Sequence, residues 1–365
     1  MNKLRIYPSP PYQFNQLKKF VNMLLADKLH GHSRKTLIII TQALLNVKRA
    51  VLSELAREIA LPIVFKHRLR RVWRFLAKTT FDYQIPCQGL IVWTLTALKD
   101  RQYLEIILDW TQIRKDHILA FSIPYHKRSI PLFWIVAPAD DFSPHKIERA
   151  CVHYFLAAVP FELRAKLVFI ADRGFGNVEF FRFLQQQGVK FVIRVAGKVW
   201  IRTKGYQGCV NQIPLRAKKI RWLSRVLYRK TRGITLNLLL KYQQDDSWYL
   251  ASNINCADAV LAIYRRRMTI EEGFRDLKDG LFFKRLRLSR ADKVGKLLLA
   301  GVLAYLFALI IGSQAERYPE LLQLISVLPK KKKAQKLLSI FNTGIIIIRK
   351  WPSIKFPLDL IPETL

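Results

Sequence analysis

The spacing of hydrophobic positions predicts a helical N-terminal part. From Lys35 to Leu76 these positions recur at helical intervals, and a break at Leu61 and Pro62 separates two short helices. In the second helix, one stripe is apolar and another face carries five basic residues: Lys66, His67, Arg70, Arg71 and Arg74. We predict a helix-turn-helix whose second helix faces DNA, although a basic amphipathic helix packed on a core shows the same pattern.

The middle of the chain changes to short β-branched runs that alternate with helical segments. The predicted strands are Tyr103–Leu108, Ile118–Pro124, Ile130–Val136, Lys166–Ala171 and Lys190–Val195, and the predicted helices are Pro144–Ala157 and Val178–Gln187. Their order is βββαβαβ. This order predicts an α/β fold with a mixed sheet.

The following segment, Ala196 to Ile254, is strand-like and basic, and we predict a β-rich insertion there. A helical pattern returns over Asp258–Asp279. The uncharged run Leu297–Gly312 is shorter than the roughly 20 residues that span a bilayer, which favours a buried core helix over a membrane span. The run Ile345–Ile348 predicts a buried strand or short helix.

These patterns suggest five regions along the chain. They are a helical N-terminal DNA-binding region (1–98), the first part of the mixed-sheet core (99–195), a β-rich insertion (196–256), a core helix with the buried apolar helix (257–312) and a basic C-terminal region (313–365). In the last region, Lys330–Lys333 and Lys336 form a charge run. Such a run is usually solvated, but it can also contact phosphate.

The composition narrows the choice of partners. Of 365 residues, 51% are hydrophobic, which is enough for a full core, and 62 Lys and Arg against 26 Asp and Glu give a net charge of +36. Nucleic acid is the first partner to expect and an anionic membrane surface the second, while a basic structural protein such as a ribosomal one has the same composition. The four dispersed cysteines are typical of reduced core residues. The N-terminus lacks the apolar core of a signal peptide, so we expect a cytoplasmic, nucleoid-associated protein.

Two acidic residues occupy equivalent positions in the predicted sheet. Asp109 follows the apolar run of the first strand (IILDWT), and Asp172 follows that of the fourth (VFIADRGF). A carboxylate at the end of a core strand often does no more than end the strand. If the first and fourth strands are neighbours, however, both acids project from one edge, where open α/β sheets bind ligands. A hard cation with oxygen ligands would relieve their repulsion.

A third carboxylate can come from the predicted helix over Asp258–Asp279. One face of this helix carries five residues spaced three or four positions apart: Tyr264, Arg267, Glu271, Arg275 and Lys278. Glu272 falls on a different face, so Glu271 is the better candidate. A surface stripe of ion pairs between residues four apart produces the same spacing.

The spacing YxxRxxxExxxxxxK, filled by Tyr264, Arg267, Glu271 and Lys278, resembles the signature of the IS-four family of bacterial insertion-sequence transposases. The stretches LDWTQI, ADRGFGN, SWYLASNI and YRRRMTIEEGFRDLKDG are similar to successive blocks of that family, in its order and over most of residues 100–312. Met268 stands where the family usually has tryptophan. We therefore expect an aromatic contact with the DNA end to be missing.

The resemblance implies a ribonuclease-H-like core with the β-rich insertion placed before the glutamate helix. By motif, Asp109, Asp172 and Glu271 are the expected catalytic triad and the expected ligands of two Mg²⁺ ions, for which Mn²⁺ can substitute. Tyr264, Arg267 and Lys278 are expected to contact DNA phosphates. Further DNA contacts are expected from Arg275, Arg173, Arg70, Arg71 and Arg74.

The function implied is that of a DNA transposase, which cuts at insertion-sequence ends and transfers the strands into target DNA. Its partners would be the terminal inverted repeats and target DNA, bound as a homodimer and without a membrane. Trp200, Trp222 and Trp248 are candidates for stacking on a flipped base. Two alternatives remain: a transposase-derived protein that binds DNA without cutting it, and another metal-dependent nuclease of the same fold.

Overall fold

The structure is a computed structural model that describes residues 12–138, 144–216, 219–244, 246–325 and 338–360. The chain divides into two compact units, one formed by Met1–Gly89 with Arg275–Leu365 and the other by Leu90–Phe274. Each unit is described by itself. The predicted lysine run at Lys330–Lys333 and Lys336 lies outside the described residues.

The second unit is built on one mixed sheet with the strand order β3-β2-β1-β4-β5-β10-β9-β8-β6-β7. Its strands are β1 (Leu104–Ile113), β2 (Asp116–Tyr125), β3 (Arg128–Ala137), β4 (Leu167–Ala171), β5 (Lys190–Arg194), β6 (Trp200–Thr203), β7 (Tyr206–Cys209), β8 (Ile220–Tyr228), β9 (Ile234–Lys241) and β10 (Trp248–Ser252).

The helices in the described residues follow in chain order. They are α1 (Tyr12–Leu25), α2 (Gly31–Val47), α3 (Leu52–Glu58), α4 (Phe65–Ala77), α5 (Gln84–Ala97), α6 (Pro144–Ala158), α7 (Val178–Gln186), α8 (Ala257–Arg265), α9 (Thr269–Arg275), α10 (Ala291–Ala315), α11 (Pro319–Ile325) and α12 (Ile340–Lys350).

The predicted order βββαβαβ is confirmed by β1, β2, β3, α6, β4, α7 and β5. One boundary was wrong, because β1 continues through Asp109 to Ile113 instead of ending at the acid. Antiparallel pairing with β2 persists as far as Ile113↔Asp116, whereas parallel pairing with β4 stops at Leu108↔Ala171. The apolar run therefore shows where β1 is covered by both neighbours, and not where the strand ends.

The predicted β-rich insertion is confirmed as strand, but its strands extend the core sheet. β10 pairs antiparallel with β5, and β9 then pairs with β10. Without β10, the strand β5 would expose an edge of unpaired backbone groups. The apolar residues of β9 and β10, such as Leu239 and Leu250, join the same hydrophobic core as Val168 of β4.

In the first unit, the segment predicted as two helices contains three. α2 ends at Val47 because Lys48 adopts a left-handed conformation (φ 55°), and α3 and α4 follow, separated near the predicted break. In α4, Val72 and Leu76 are buried and Leu69 is half-buried, which confirms the apolar stripe.

The turn between α3 and α4 is held by a side chain of α4. Arg68 donates from Nη1 to the carbonyls of Arg57 (3.1 Å) and Ile59 (2.8 Å) at the end of α3. The opposite end of α4 is held by the buried Lys296 of α10, whose Nζ donates to the carbonyls of Leu76 (3.2 Å) and Lys78 (2.8 Å). Both ends of α4 are thus fixed within this unit.

The predicted apolar helix extends well beyond Leu297–Gly312, because α10 has 25 residues. It is the one single helix in the described residues that is long and apolar enough to cross a membrane, and the α2–α3 pair, bent by 98°, passes the same test when taken together. The prediction that this helix is too short to span a bilayer was therefore wrong. The expected burial is confirmed, since the most apolar stretch of α10 is entirely buried.

The run Ile345–Ile348 is a helix and not a strand, as part of α12. This helix packs closely on α10 through two glycines. A Cβ on Gly312 would collide with the Ile340 carbonyl, and a Cβ on Gly344 would collide with the Ala308 carbonyl. Glycine is required here for the close approach of two backbones.

Candidate active site

Asp109 and Asp172 lie side by side at one edge of the parallel part of the sheet. The last parallel pair of β1 and β4 is Leu108↔Ala171, and the two acids are the next residues on their strands. The condition on which the sequence argument depended, that the first and fourth strands are neighbours, is therefore met. The Asp109 side chain is 16% exposed, so its carboxylate is largely withdrawn from solvent.

A tight turn follows β4 and orients the Asp172 carboxylate. Asp172 precedes a short 3-10 helix over Arg173–Phe175, and its Oδ1 accepts a hydrogen bond from the Gly174 N–H at 2.9 Å. Gly174 suits this turn because a Cβ there would lie 3.1 Å from the same oxygen. The local sequence DRG thereby fixes the rotamer of Asp172.

The predicted helix over Asp258–Asp279 is irregular. It consists of α8, a 3-10 turn at Arg266–Met268, α9 and a π-helical turn at Asp276–Gly280. A constant 100° per residue therefore does not hold along it. The choice of Glu271 over Glu272 nevertheless agrees with the geometry, because Glu272 pairs with Arg128 (3.4 Å) whereas Glu271 contacts Arg267.

Arg267 joins two of the three candidate carboxylates. Its Nη2 donates to Glu271 Oε1 at 2.9 Å, and its Nη1 lies 3.6 Å from Asp109 Oδ2. Burial lowers the pKa of Arg267, but the neighbouring Tyr264, Asp109 and Glu271 outweigh this effect and raise it. The guanidinium is therefore positively charged and partly neutralises both acids.

The pKa of Asp109 is raised to about 7. Burial is the largest cause, and repulsion from Asp172 and Glu271 raises the pKa further, while Arg267 and a backbone hydrogen bond at Trp110 lower it. The three carboxylates thus interact electrostatically. Even with one arginine among them, Asp109 retains its proton close to neutral pH.

The three acids supply the hard oxygen ligands that a divalent cation prefers. A cation at this edge would also relieve the repulsion that raises the pKa of Asp109. In the described parts of the chain, however, no three His, Cys, Asp or Glu side chains lie close enough together to enclose one metal ion. The donor chemistry fits a divalent cation. The positive charge of Arg267 offsets part of the negative charge of Asp109 and Glu271, as such an ion would.

Tyr264 is more buried than a residue that contacts DNA would be. It is 4% exposed, its ring packs edge-on against Trp248 (5.1 Å between centroids), and its phenol lies beside the Arg267 guanidinium. Burial raises the pKa of this phenol. Among the predicted stacking candidates, Trp222 and Trp248 are half-buried against the core cluster and Trp200 is half-buried in β6.

The remaining predicted DNA contacts of this region are divided between the two units. Arg173 is exposed and lines an open cavity of about 500 Å³ together with Lys198, Asn211, Tyr242 and Tyr249. Arg275 and Lys278 belong to the first unit, where Arg275 is exposed and Lys278 is half-buried in the π-helical turn. Met268 is 49% exposed, and its sulfur lies 3.4 Å from Arg267 Nη2.

Two contacts that position the site were not predicted from the sequence. Glu105 of β1 is 3% exposed and pairs with Arg266 at 2.6 Å, which ties β1 to the segment that carries Arg267. Trp110 donates to the buried Glu148 of α6 at 3.0 Å and so anchors the residue after Asp109. Glu105 was detectable as a charge within an apolar strand, because buried charges require partners.

Comparison with known proteins agrees with these features. No curated protein matches the sequence. A solved structure, the piggyBac transposase synaptic complex with hairpin DNA determined by cryo-EM, matches with a TM-score of 0.42 and 9% identity over 93% of this chain and 77% of that chain, too weak a likeness to support a conclusion. The family model of the transposase DDE domain matches residues 100–307, which include Asp109, Asp172 and Glu271. The chain therefore belongs to the family of proteins with a transposase DDE domain.

Proposed function

We propose that this protein is a DNA transposase of the IS-four type that cleaves DNA at insertion-sequence ends and transfers the strands into target DNA. The observation that carries the proposal is the coupling of Asp109, Asp172 and Glu271 at one sheet edge, with Arg267 bridging two of them. We further propose that β1–β5 with α6 and α7 form a ribonuclease-H-like core. The order of elements supports this assignment.

In the proposed reaction, Asp109, Asp172 and Glu271 would hold divalent metal, which we propose to be two Mg²⁺ ions. Bound metal supplies polarisation of the scissile phosphate and a lowered pKa for the attacking water. The protein contributes a carboxylate on rigid β1, a second one oriented by the Gly174 N–H, and a third from α9. Rigid placement matters because small displacements of reacting groups lower rates strongly.

Basic side chains around these acids are proposed to hold the DNA backbone. Arg173 directly follows Asp172 in the chain and is exposed, Arg267 contacts Asp109 and Glu271, and Tyr264 lies beside Arg267. Arg275 and Lys278 are proposed contacts from the other unit. We propose action as a homodimer on terminal repeats, in the cytoplasm and close to the chromosome.

The test of the function is cleavage of the protein's own flanking DNA. The full chain is incubated with labelled duplexes that contain the inverted repeats flanking its coding region, with Mg²⁺, Mn²⁺ or EDTA. We expect nicks at the repeat ends with either cation and none in EDTA. Binding without cleavage would support the non-catalytic alternative, and cleavage independent of the repeats would support a general nuclease.

A separate prediction concerns α4, which we propose as the helix that contacts DNA. Arg70 and Arg74 are exposed, whereas Arg71 is half-buried and donates from Nε to Thr36 Oγ1 at 3.2 Å. Arg70→Gln with Arg74→Gln is expected to weaken binding to repeat DNA by at least about tenfold, since a single arginine contact contributes about 1–3 kcal/mol. Fluorescence anisotropy measures this change, and the melting temperature should stay the same.

Arg71→Gln is the matched comparison on the same helix. We expect it to lower the free energy of unfolding by about 1 kcal/mol through loss of the bond to Thr36. DNA contact by Arg71 stays a prediction that the same titration tests. Unchanged affinity in the Arg70 and Arg74 double variant would remove α4 from the DNA-binding surface.

A further inference from the structure

The chain between Phe180 and Gln244 contains 15 Lys and Arg and no Asp or Glu. This stretch spans β5 to β9. The cations of β6, β8 and the turn between β8 and β9 are exposed: Arg202, Arg221, Arg225, Arg229, Lys230 and Arg232. A basic stretch that contains no acidic residues attracts polyanions. In DNA, the groups that Lys and Arg neutralise are the phosphates.

Three of these arginines have a strained backbone. Arg225, Arg229 and Arg232 have φ values of 51°, 66° and 51°, a region that favours glycine. Arg225 lies at the bulge in β8, and the other two lie in the turn that leads to β9. Glycine or asparagine would form these turns at a lower cost in free energy. Strain of this kind is concentrated at functional positions.

Specific hydrogen bonds hold Arg225 and Arg229 in these conformations. The Arg225 N–H donates to Oδ1 of the nearly buried Asn237 at 3.1 Å, and Asn237 in turn donates to the Ile254 carbonyl at 3.0 Å. The Arg229 N–H donates to the Trp200 carbonyl at 2.9 Å. The strained backbone is therefore built into the sheet and is not a loose loop.

Two further contacts connect this hairpin to the segment that follows Asp172. Tyr228, the residue before Arg229, donates from its phenol to the Gly176 carbonyl at 3.0 Å. Arg182 of α7 donates to the Arg232 carbonyl at 2.7 Å. The loop that begins at Asp172 and the helix after it thus fix both ends of the turn that presents the arginines.

We infer that Arg225, Arg229 and Arg232, here named the arginine ridge, bind the phosphates of a DNA duplex independently of its base sequence. β8 lies four strand spacings from β4, or about 19 Å across the sheet, which is less than one helical turn of DNA of about 34 Å. One duplex can therefore contact the ridge and reach the Asp172 loop. The placement of one duplex across the ridge and the Asp172 loop rests on the proposed function, whereas phosphate binding by the ridge does not.

The test replaces all three arginines of the ridge by glycine in the full chain. Affinity for a labelled 30-base-pair duplex is measured by anisotropy across a series of KCl concentrations, with repeat DNA and with unrelated DNA. We expect the slope of log affinity against log salt to fall by about 2 to 3, since each phosphate contact contributes about 0.9. The loss should be equal on both duplexes, and the melting temperature should be unchanged or higher because strain is relieved.

Two control variants separate charge from fold. Replacing the three arginines by lysine keeps the charge and should preserve the salt slope even if the glycine variant folds poorly. Lys127→Gly removes a cation with positive φ (60°) from the turn between β2 and β3, elsewhere on the same sheet, and should leave the slope unchanged. A glycine variant with the wild-type slope, or a lysine variant that loses it, would overturn the inference.

The outcomes also separate this inference from the proposed function. If the salt slope depends on the ridge but the wild-type protein never cleaves DNA, the inference stands and the proposed function is overturned. Metal-dependent cleavage with a slope insensitive to the ridge would do the reverse. Ridge-dependent binding to phosphatidylglycerol vesicles, with no effect on duplex DNA, would assign the ridge to a membrane surface and overturn the inference.

Discussion

Replacement of Asp109, Asp172 or Glu271 by alanine is expected to abolish metal-dependent cleavage while DNA binding is largely retained. Each acid contributes oxygen ligands to the proposed metal site, and loss of a group that acts only in the transition state lowers the rate without a matching loss of affinity. Metal assistance is worth several kcal/mol, so a fall of at least about 10³-fold follows at 1.36 kcal/mol per factor of ten. Single-turnover cleavage of repeat DNA measures the rate.

Glu272→Ala is the matched control for this experiment. It removes an adjacent carboxylate from the same helix, but that carboxylate pairs with Arg128 in a half-exposed ion pair worth at most about 1 kcal/mol. We expect cleavage close to the wild-type rate. Cleavage that survives in one of the three alanine variants would exclude that residue from the site, and loss of cleavage in Glu272→Ala would exchange the roles of the two glutamates.

Asp109→Asn is expected to show a stability difference from the wild type that grows with pH in the metal-free protein. The folded pKa of Asp109 is about 7, above the unfolded value of about 3.9. Its carboxyl therefore stabilises the fold fully below the unfolded pKa, and this contribution is lost as the pH rises through about 7. Asparagine has no such proton to lose.

The expected size follows from the same pKa. Between pH 5 and pH 8 the wild type should lose roughly 2–3 kcal/mol relative to Asp109→Asn, measured by urea unfolding in EDTA. Because the side chain is only 16% exposed, solvent screening reduces this value little. Added Mg²⁺ should restore much of the wild-type stability at pH 8 and have little effect on the variant. Parallel pH curves for the two proteins would show that Asp109 titrates normally.

Both predictions concern an edge where the proposed activity and the stability of the fold oppose each other. Three carboxylates gathered near a buried position cost folding free energy, and Arg267 offsets only part of their repulsion. Natural proteins retain such clusters where a bound ligand needs them. In the arginine ridge, the proposed phosphate binding likewise opposes stability, because three positions whose backbone conformation favours glycine carry arginine instead.

The sequence by itself determined the local elements and the identities of the candidate acids. Runs such as KLVFIA predict a buried strand because continuous apolar residues need cover on both faces, and β4 confirms it. Helical spacing favoured Glu271 over Glu272, and this choice stays a prediction. The spacing does place Glu271 beside Arg267 although α8 and α9 are joined by a 3-10 turn, because the short stretch between these two residues covers only about one turn.

Tertiary structure alone decided which strands meet and which charges pair. β10 pairs with β5 through backbone groups that every sequence has, so no residue pattern predicts this pairing. The contact of Arg267 with Asp109 and the pairing of Glu105 with Arg266 connect positions more than 150 residues apart. Such contacts follow from packing and burial rather than from local spacing, which is why the sequence could name the acids and Arg267 but not the contact between Arg267 and Asp109.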